Sequence, residues 1–530
     1  MKARKNIFLM LLLSMVLVLA ACSGNTSAPK DEDDSSTDGE TTTDEGQAGG
    51  HLVFVTGADA PTLDPHGTND TATTNATSQL FDRLLEFNAE GVPSPSLATE
   101  YTRVDDLTWN FKLREGVKFH DGTDFNAEAV KINFERVLDE EFASPRAFVL
   151  NMITEITVNG PYDITLKTEF PFAPLPSHLA HNAGSIISPA AIQAEKDGGK
   201  TVSENPVGTG PFKLDEWNTG AEIKFSRFDD YWGEKKASVD TMSFVVVPEQ
   251  ATRVAMVETG EAHAMLLGPS DVSRVEAMAG VELDRVKSTR MDYLGFNLNK
   301  KPFDNKLVRQ AISMAVNKDD IVNGVLDGQG IAAIGPLAPT VYGYSEDLTP
   351  IAYDVDKAKE LLAEAGFADG FKTTLWANEG SKERSDIAEL IQAQLAPLGI
   401  EVEIQIIEWG AFLEKTAAGE HDMIVLGWTT VTGDADYGLY APYHSSAHGS
   451  AGNRSFYTNP KVDELLDSAR KEADDAKRLA MYKEVSQILI DDAPQVFLQH
   501  QDFVHATNGI ASGFFSNFSG TPFFKDVVLK

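Results

Sequence analysis

Thr108-Trp109-Asn110-Phe111-Lys112-Leu113, followed after a turn by Phe125-Asn126-Ala127-Glu128-Ala129-Val130-Lys131-Ile132-Asn133-Phe134-Glu135-Arg136-Val137-Leu138, decides the class of fold. In the first stretch the apolar side chains Trp109, Phe111 and Leu113 fall on every second position, which puts them on one face of an extended strand. In the second, Asn126 stands where it can cap a helix that carries Val130, Phe134, Val137 and Leu138 along one face. A period of two giving way to a period of 3.6 is the pattern of α/β construction.

The same alternation runs outward from there. Val53–Val55, Met242–Val247, Tyr293–Leu298, Val402–Ile407 and Met423–Leu426 read as further strands. Asn305 can cap a helix with Leu307, Val308, Ala311, Ile312, Ala315 and Val316 inward, and Asp356 one bearing Leu361 and Leu362 that Gly366 stops. Asn459-Pro460 places a cap and a first-turn proline before Val462, Leu465, Leu466 and Ala469, and Asp475 precedes Leu479, Tyr482, Val485, Ile488 and Leu489. No repeat of about 20 to 50 residues is present.

The start of the chain has a different character. Lys2, Arg4 and Lys5 precede an apolar run from Ile7 to Ala21, too short to span a bilayer and of signal-peptide length. The run ends in Leu19-Ala20-Ala21-Cys22, which resembles a bacterial lipobox, and Cys22 is the only cysteine of the 530 residues. The resemblance implies a signal peptide at 1–21 and a mature chain that begins at an acylated Cys22, held to the outer face of a membrane. Residues 22–50 are Ser, Thr, Asp, Glu and Gly with almost no apolar side chain, the composition of a disordered acidic tether. Beyond the signal no stretch approaches about 18 uninterrupted apolar residues.

Charge narrows the function further. The formal net charge is -35, and removal of 1–21 with its three cations takes it to -38. Such a surface repels nucleic acid and anionic lipid, so no nucleic-acid partner is expected and the lipid must supply the membrane attachment. With a single cysteine there are no disulfides within the chain. A body of roughly 480 residues must divide into about three units at about 100 to 200 residues each.

Local enzyme signatures fail on inspection. Gly198-Gly199-Lys200-Thr201 ends like a phosphate loop, but the leading glycine position holds Ala194. His444 and His448 have the spacing of shared metal ligands, yet Ser445-Ser446 and Gly449-Ser450-Ala451-Gly452 argue for a loop. There is no His-Glu-x-x-His and no Gly-x-Ser-x-Gly. The expectation is a protein that is not an enzyme and uses no cofactor.

Six strings in order resemble one family, the solute-binding lipoproteins of peptide, glutathione and nickel ABC importers (solute-binding protein family 5). They are Thr62-Leu63-Asp64-Pro65, Trp109 through Gly122, Phe125 through Leu138, Pro206 through Phe212, Tyr293 through Asn297 with Pro302-Phe303, and Phe456 through Pro460. The resemblance implies an α/β, two-lobed clamp of the periplasmic-binding-protein type II, in its large peptide-binding variant, with an extra domain inserted in lobe one. Lobe one is placed at 51–80, 205–288 and 501–530, the inserted domain at 81–204, and lobe two at 289–500. Hinge closure over the ligand is the implied mechanism.

The implied partners are a peptide ligand and the transmembrane subunits of an ABC permease with their ATPases, at the extracytoplasmic face of the cell membrane, with the binding protein a monomer. Nickel chelate, haem or oligosaccharide is the alternative ligand of the same clamp, and a sensor role, docking on a receptor instead of a permease, fits the same chain. Gly427 through Tyr437 resembles the segment that receives the ligand amino group in peptide-binding relatives. Those relatives place an aspartate where this chain has Val431, so Asp434 and Asp436 are the nearest acids, with Trp428 and Tyr437 beside them. That pattern is closer to the glutathione-binding branch. A ligand carboxylate wants a planar guanidinium, for which Arg384 and Arg454 are the candidates, with Trp376 and Trp409 as cleft walls.

Overall fold

The computed structural model describes residues 49–88 and 90–530. Cys22, the lipobox and nearly all of the expected tether lie outside the described residues. The last two tether residues do not extend freely: Gly49 N donates to Ser238 O (2.6 Å) and Gly50 O accepts from Asp240 N (3.0 Å), so they already lead into the first strand.

The alternation at Thr108–Leu113 is the alternation of burial. Trp109, Phe111 and Leu113 are buried, while Thr108, Asn110 and Lys112 are not. This strand lies second in a four-stranded antiparallel sheet ordered Ala98–Arg103, Thr108–Leu113, Asp163–Thr168, Ile153–Gly160. Helix Ala127–Leu138 packs near it, Asn126 Oδ1 accepting from Ala129 N at 3.0 Å, with Val130, Phe134 and Val137 fully buried.

Two larger sheets flank the cleft. The first has seven strands in the order Val281–Val286, Phe503–Asn508, Ala264–Leu266, His51–Thr56, Thr241–Val246, Glu222–Arg227, Phe212–Asn218. Its central strand His51–Thr56 runs parallel to both neighbours, and the chain's late strand Phe503–Asn508 returns to pair antiparallel with 264–266 and 281–286. The second has six strands in the order Ile331–Ala332, Gln495–His500, Arg290–Phe296, Met423–Thr429, Lys372–Asn378, Glu401–Ile407. Its strands come entirely from residues 290–500. Leu294, Phe296, Val425 and Leu498 of this sheet pack on the helices Lys306–Ala315 and Lys382–Leu395 through Ala311, Ile312, Ile387 and Ile391. These are two α/β lobes.

The lobes are joined at adjacent crossovers. Lys287-Ser288-Thr289 leaves the first sheet for the second, and Gln501-Asp502 brings the chain back. The two segments are tied together: Lys287 Nζ meets Asp502 Oδ2 at 2.7 Å, and the Ser288 hydroxyl donates to the Gln501 carbonyl. Two short adjacent crossovers are what a hinge between lobes needs.

Most helix starts follow the sequence, with one shifted cap. Helix Val355–Glu364 is capped by Asp354, whose side chain accepts from Lys357 N, and Asp356 lies in its first turn instead. Helix Asp475–Asp492 is capped by Asp474, with Asp475 in its first turn. Cap position is set by which side chain reaches the amide three residues on, a matter of backbone angle that adjacent aspartates leave ambiguous. Leu479, expected on the buried face of that helix, is 38% exposed. Among the described residues no helix is long and apolar enough to cross a membrane.

Candidate functional site

Between the lobes lies a cleft of about 750 Å³, within the range of about 300 to 1,000 Å³ usual for ligand sites. Each wall is the end of a sheet. From the first lobe come Thr56-Gly57-Ala58, where strand His51–Thr56 ends, and Asn69-Asp70 at the start of helix Thr71–Thr77. From the second come Gly427-Trp428-Thr429, the end of strand Met423–Thr429, with Arg384, Trp409 and Arg454.

The walls touch. Gly57 and Gly380 face each other so closely that a Cβ on either would overlap the other's carbonyl oxygen, and Gly380 has φ +82°. Arg253 of the first lobe donates to its own Val247 and Pro248 carbonyls (2.6 and 2.7 Å) and reaches across to Gly380 O at 3.4 Å. Asn69 Nδ2 donates to Ala451 O at 3.3 Å, and Trp409 Nε1 donates to Asp70 Oδ1 at 3.4 Å. The clamp is therefore in a closed arrangement.

Of the eight residues singled out from the sequence, five line the cleft and three do not. Trp428 and Tyr437 line the cleft and stack on one another, centroids 5.4 Å apart and planes 25° from parallel. The Tyr437 hydroxyl donates to Asn69 Oδ1 (3.2 Å) and lies 3.3 Å from His181 Nε2, while burial pushes its pKa up to about 12. Arg384 opens helix Lys382–Leu395 beneath Trp409, its guanidinium 5.7 Å from the Trp409 ring centroid. Its Nη1 donates to Asn378 Oδ1 (2.6 Å), and its Nε is buried with no hydrogen-bond partner. Arg454 donates to Gly449 O at 2.9 Å from an otherwise buried position. Burial lowers the pKa of both arginines. Both come from the second lobe and line the cleft together with Tyr293.

Asp434 and Asp436 are a correction to the expectation, because neither faces the cleft. Asp434 caps helix Ala435–Tyr443 and is held by a two-pronged pair with Arg478 (2.7 and 2.9 Å). Asp436 is buried behind the cleft between Arg470 (Nε 2.8 Å, Nη2 3.2 Å) and His178 Nε2 (3.4 Å). Burial would raise its pKa, but Arg470 and His178 hold it well below the usual carboxylate range. The chain's own guanidiniums thus take the place a ligand ammonium was expected to fill. Arg470 also donates to Phe148 O (3.1 Å), so this ion cluster fastens the second lobe to the segment that carries the four-stranded sheet. Trp376 is the third correction: it is 7% exposed, packs edge-on against His421, and belongs to the core rather than the cleft wall.

Several cleft residues gave no signal as ligand contacts. Asp70 looks like a plain helix cap, and its Oδ1 does accept from Thr73 N (3.0 Å); its buried Oδ2 has no partner. Arg83 sits in Leu80-Phe81-Asp82-Arg83-Leu84-Leu85, where a cation inside an apolar run was a readable mark of a buried charge. It donates to Asn182 Oδ1 at 3.4 Å and its Nε has no partner. Arg290 is paired with Asp292 (2.7 Å) and Glu383 (3.5 Å), and Gln499 and Gln501 complete that buried cluster beside the crossovers. Among the described residues no group of three or more His, Cys, Asp or Glu is arranged to hold a metal ion.

Two lobes of α/β construction, two adjacent crossovers and a cleft at the sheet ends define a solute-binding clamp. Residues 92–450 match the bacterial extracellular solute-binding proteins, family 5 (Middle), and the chain belongs to that family. It is 34% identical over 472 residues to the glutathione-binding protein GsiB of Escherichia coli O1:K1 / APEC, covering 87% of this chain and 91% of that one. Among solved structures it is similar to the ABC transporter-associated periplasmic binding protein DppA from Helicobacter pylori in complex with the peptide STSA. The identity is 33% and the TM-score 0.85, over 91% of this chain and 98% of that one. The oligopeptide-binding protein AppA from Bacillus subtilis, in complex with a nonapeptide, is 27% identical with a TM-score of 0.84, over 92% and 100% of the two chains.

Proposed function

We propose that this chain captures peptides outside the cytoplasm, short peptides or glutathione-like ones, and delivers them to the permease of an ABC importer. One observation carries the reading. Strand Met423–Thr429 pairs with Arg290–Phe296 along its whole length, but its pairing with Lys372–Asn378 ends at Trp376 and Ile424. From Val425 to Thr429 the strand therefore has one side without a strand partner among the described residues, and Leu426 through Thr429 line the cleft. A peptide laid there can add its amides to the sheet. Each such bond contributes about 0.5 to 1.5 kcal/mol net, and a bond to a charged end about 1.5 to 3 kcal/mol. A few amides and one or two charged ends then reach the roughly 8 kcal/mol of micromolar binding. The relatives named for glutathione and those holding peptides support the same class of ligand.

We propose the domain division, the ligand contacts and the anchor as follows. Lobe one is 51–80, 205–288 and 501–530, the inserted domain 81–204 and lobe two 289–500, supported by which strands share a sheet. Arg384, Arg454, Trp409, Trp428 and Tyr437 contact the ligand. Cys22 carries the lipid that keeps the monomeric clamp beside its permease. Titration calorimetry against di- to nonapeptides and glutathione tests the ligand class, and heat from none of them refutes it. Metabolic labelling with palmitate tests the anchor: label on the wild-type chain that survives Cys22→Ser rules Cys22 out.

A further inference from the structure

The chain is strongly acidic overall, yet the charge inside its cleft has the opposite sign. Of the cationic cleft side chains, three have carboxylate partners: Lys287 with Asp502 (2.7 Å), Arg285 with Glu276 (3.3 Å) and Arg290 with Asp292 and Glu383. The other four, Arg83, Arg253, Arg384 and Arg454, have no carboxylate within ion-pair distance among the described residues. Their hydrogen bonds go to neutral acceptors, the Asn182 and Asn378 amide oxygens and the carbonyls of Val247, Pro248 and Gly449. Against them stands, among the described residues, one cleft carboxylate outside any ion pair, Asp70.

Arginine keeps its charge in proteins, and acids act on these four only from beyond contact, Asp82 and Glu86 on Arg83, Asp292 and Glu383 on Arg384 and Asp70 on Arg454, so that each guanidinium still lacks a carboxylate in its fork. The buried Nε groups of Arg384 and Arg83 lack even a neutral partner. Arg384 and Arg454 lie on one wall, near Tyr293, while Arg83 reaches the cleft beside His181 and Asn182. A carboxylate fits the fork of one guanidinium, so one carboxylate cannot neutralise groups on both walls.

We infer that the cleft selects ligands that carry at least two carboxylates and a net negative charge, with Arg384, Arg454 and Arg83 receiving the carboxylates and the free oxygen of Asp70 receiving an ammonium group. The inference rests on the peptide-binding reading for the nature of the ligand, but its charge requirement stands apart from it. A plain peptide has one carboxylate at its end, so the second comes from an acidic side chain. Discrimination arises inside the cleft, where a low dielectric strengthens each pairing, against the repulsion that the acidic exterior offers any anion.

The test is calorimetry at fixed salt with tripeptides of alanine that carry glutamate or glutamine at the first, second or third position, a lysine version, glutathione, and citrate as an anion without peptide bonds. The two side chains of each Glu/Gln pair are nearly isosteric, so their affinity ratio reads charge. At least one glutamate peptide is expected to bind tenfold or more tighter than its glutamine twin, with the lysine peptide weakest. Arg384→Gln, Arg454→Gln or Arg83→Gln is expected to bring that ratio below threefold, while Arg→Lys at the same position restores part of it. Should a variant fail to fold, the wild-type ratio decides alone. Glutamine peptides that bind as tightly as glutamate ones at every position overturn the charge requirement while leaving peptide binding intact. Citrate binding with every peptide silent refutes the peptide reading and retains the charge requirement; silence of every anion refutes both.

Discussion

Replacing Arg470 with leucine should destabilise the protein by an amount that shrinks as the pH falls. Arg470 and Asp436 have side chains 4% and 2% exposed, joined by bonds of 2.8 and 3.2 Å, and the guanidinium also covers the Tyr440 ring at 3.9 Å. Removing one member of a buried pair leaves the other charged and desolvated, a loss of about 3 to 5 kcal/mol. In the wild type the pair holds the Asp436 pKa below its unfolded value, so its contribution is complete above about pH 4 and is lost only as pH falls through the lowered value. In Arg470→Leu the sign changes, because burial now raises that pKa above the unfolded one. Lowering the pH from 7.5 to 5 then protonates the folded variant preferentially, and its deficit relative to wild type shrinks by up to about 1.4 kcal/mol per pH unit below the raised pKa. Urea denaturation followed by tryptophan fluorescence at both pH values measures it. The double variant Asp436→Asn, Arg470→Leu removes the stranded charge and should recover much of the loss. A deficit under about 1 kcal/mol, or one that grows as the pH falls, refutes the assignment of this cluster as a charge-compensated fastening.

Other consequences can be measured separately. Gly57→Val or Gly380→Ala places a side chain where the two lobes meet backbone to backbone, and ligand affinity should fall tenfold or more with the fold retained; small-angle scattering should show a clamp that stays open with ligand present, and unchanged closure would refute it. Burial pushes His66, His120, His500 and His505 down to about 4, so all are neutral when folded. The unfolded chain binds more protons between about pH 4 and 6.5, which makes stability rise with pH across that window and fall by several kcal/mol, order of magnitude, from its upper to its lower end. Urea midpoints that stay level from pH 7 to 4.5 would contradict this. Trp428 and Trp409 line the cleft whereas Trp376 is core, so ligand-induced change in tryptophan emission should diminish in Trp428→Phe and Trp409→Phe and persist in Trp376→Phe.

Much of the fold was legible because it is written in local periods. Trp109, Phe111 and Leu113 alternate in sequence and in burial, and Asn126, Asn305 and Asn459 cap the helices expected of them. The cleft was legible only in part. Arg384, Arg454, Trp409, Trp428 and Tyr437 do line it, but Asp434, Asp436 and Trp376 face elsewhere. Nothing near Asp436 in the chain announces that Arg470 and His178 converge on it, or that Arg470 also donates to Phe148 O, since these come from three distant segments. Asp70 was hidden for the opposite reason, its role as a helix cap being a sufficient local explanation, and Arg83 could be read as a buried charge in an apolar run but not as one that reaches the cleft.

By itself the sequence determined the α/β class, most strands and helices, and the acidic exterior, because each depends on neighbours within a few turns of chain. Only the tertiary structure decided which charges are spent on each other and which are left for a ligand. Pairing of buried charges is settled by which side chains meet once the chain has folded, and that meeting sets Arg478 and Arg470 on the two aspartates while leaving Arg83, Arg384 and Arg454 at the cleft with no carboxylate in contact among the described residues.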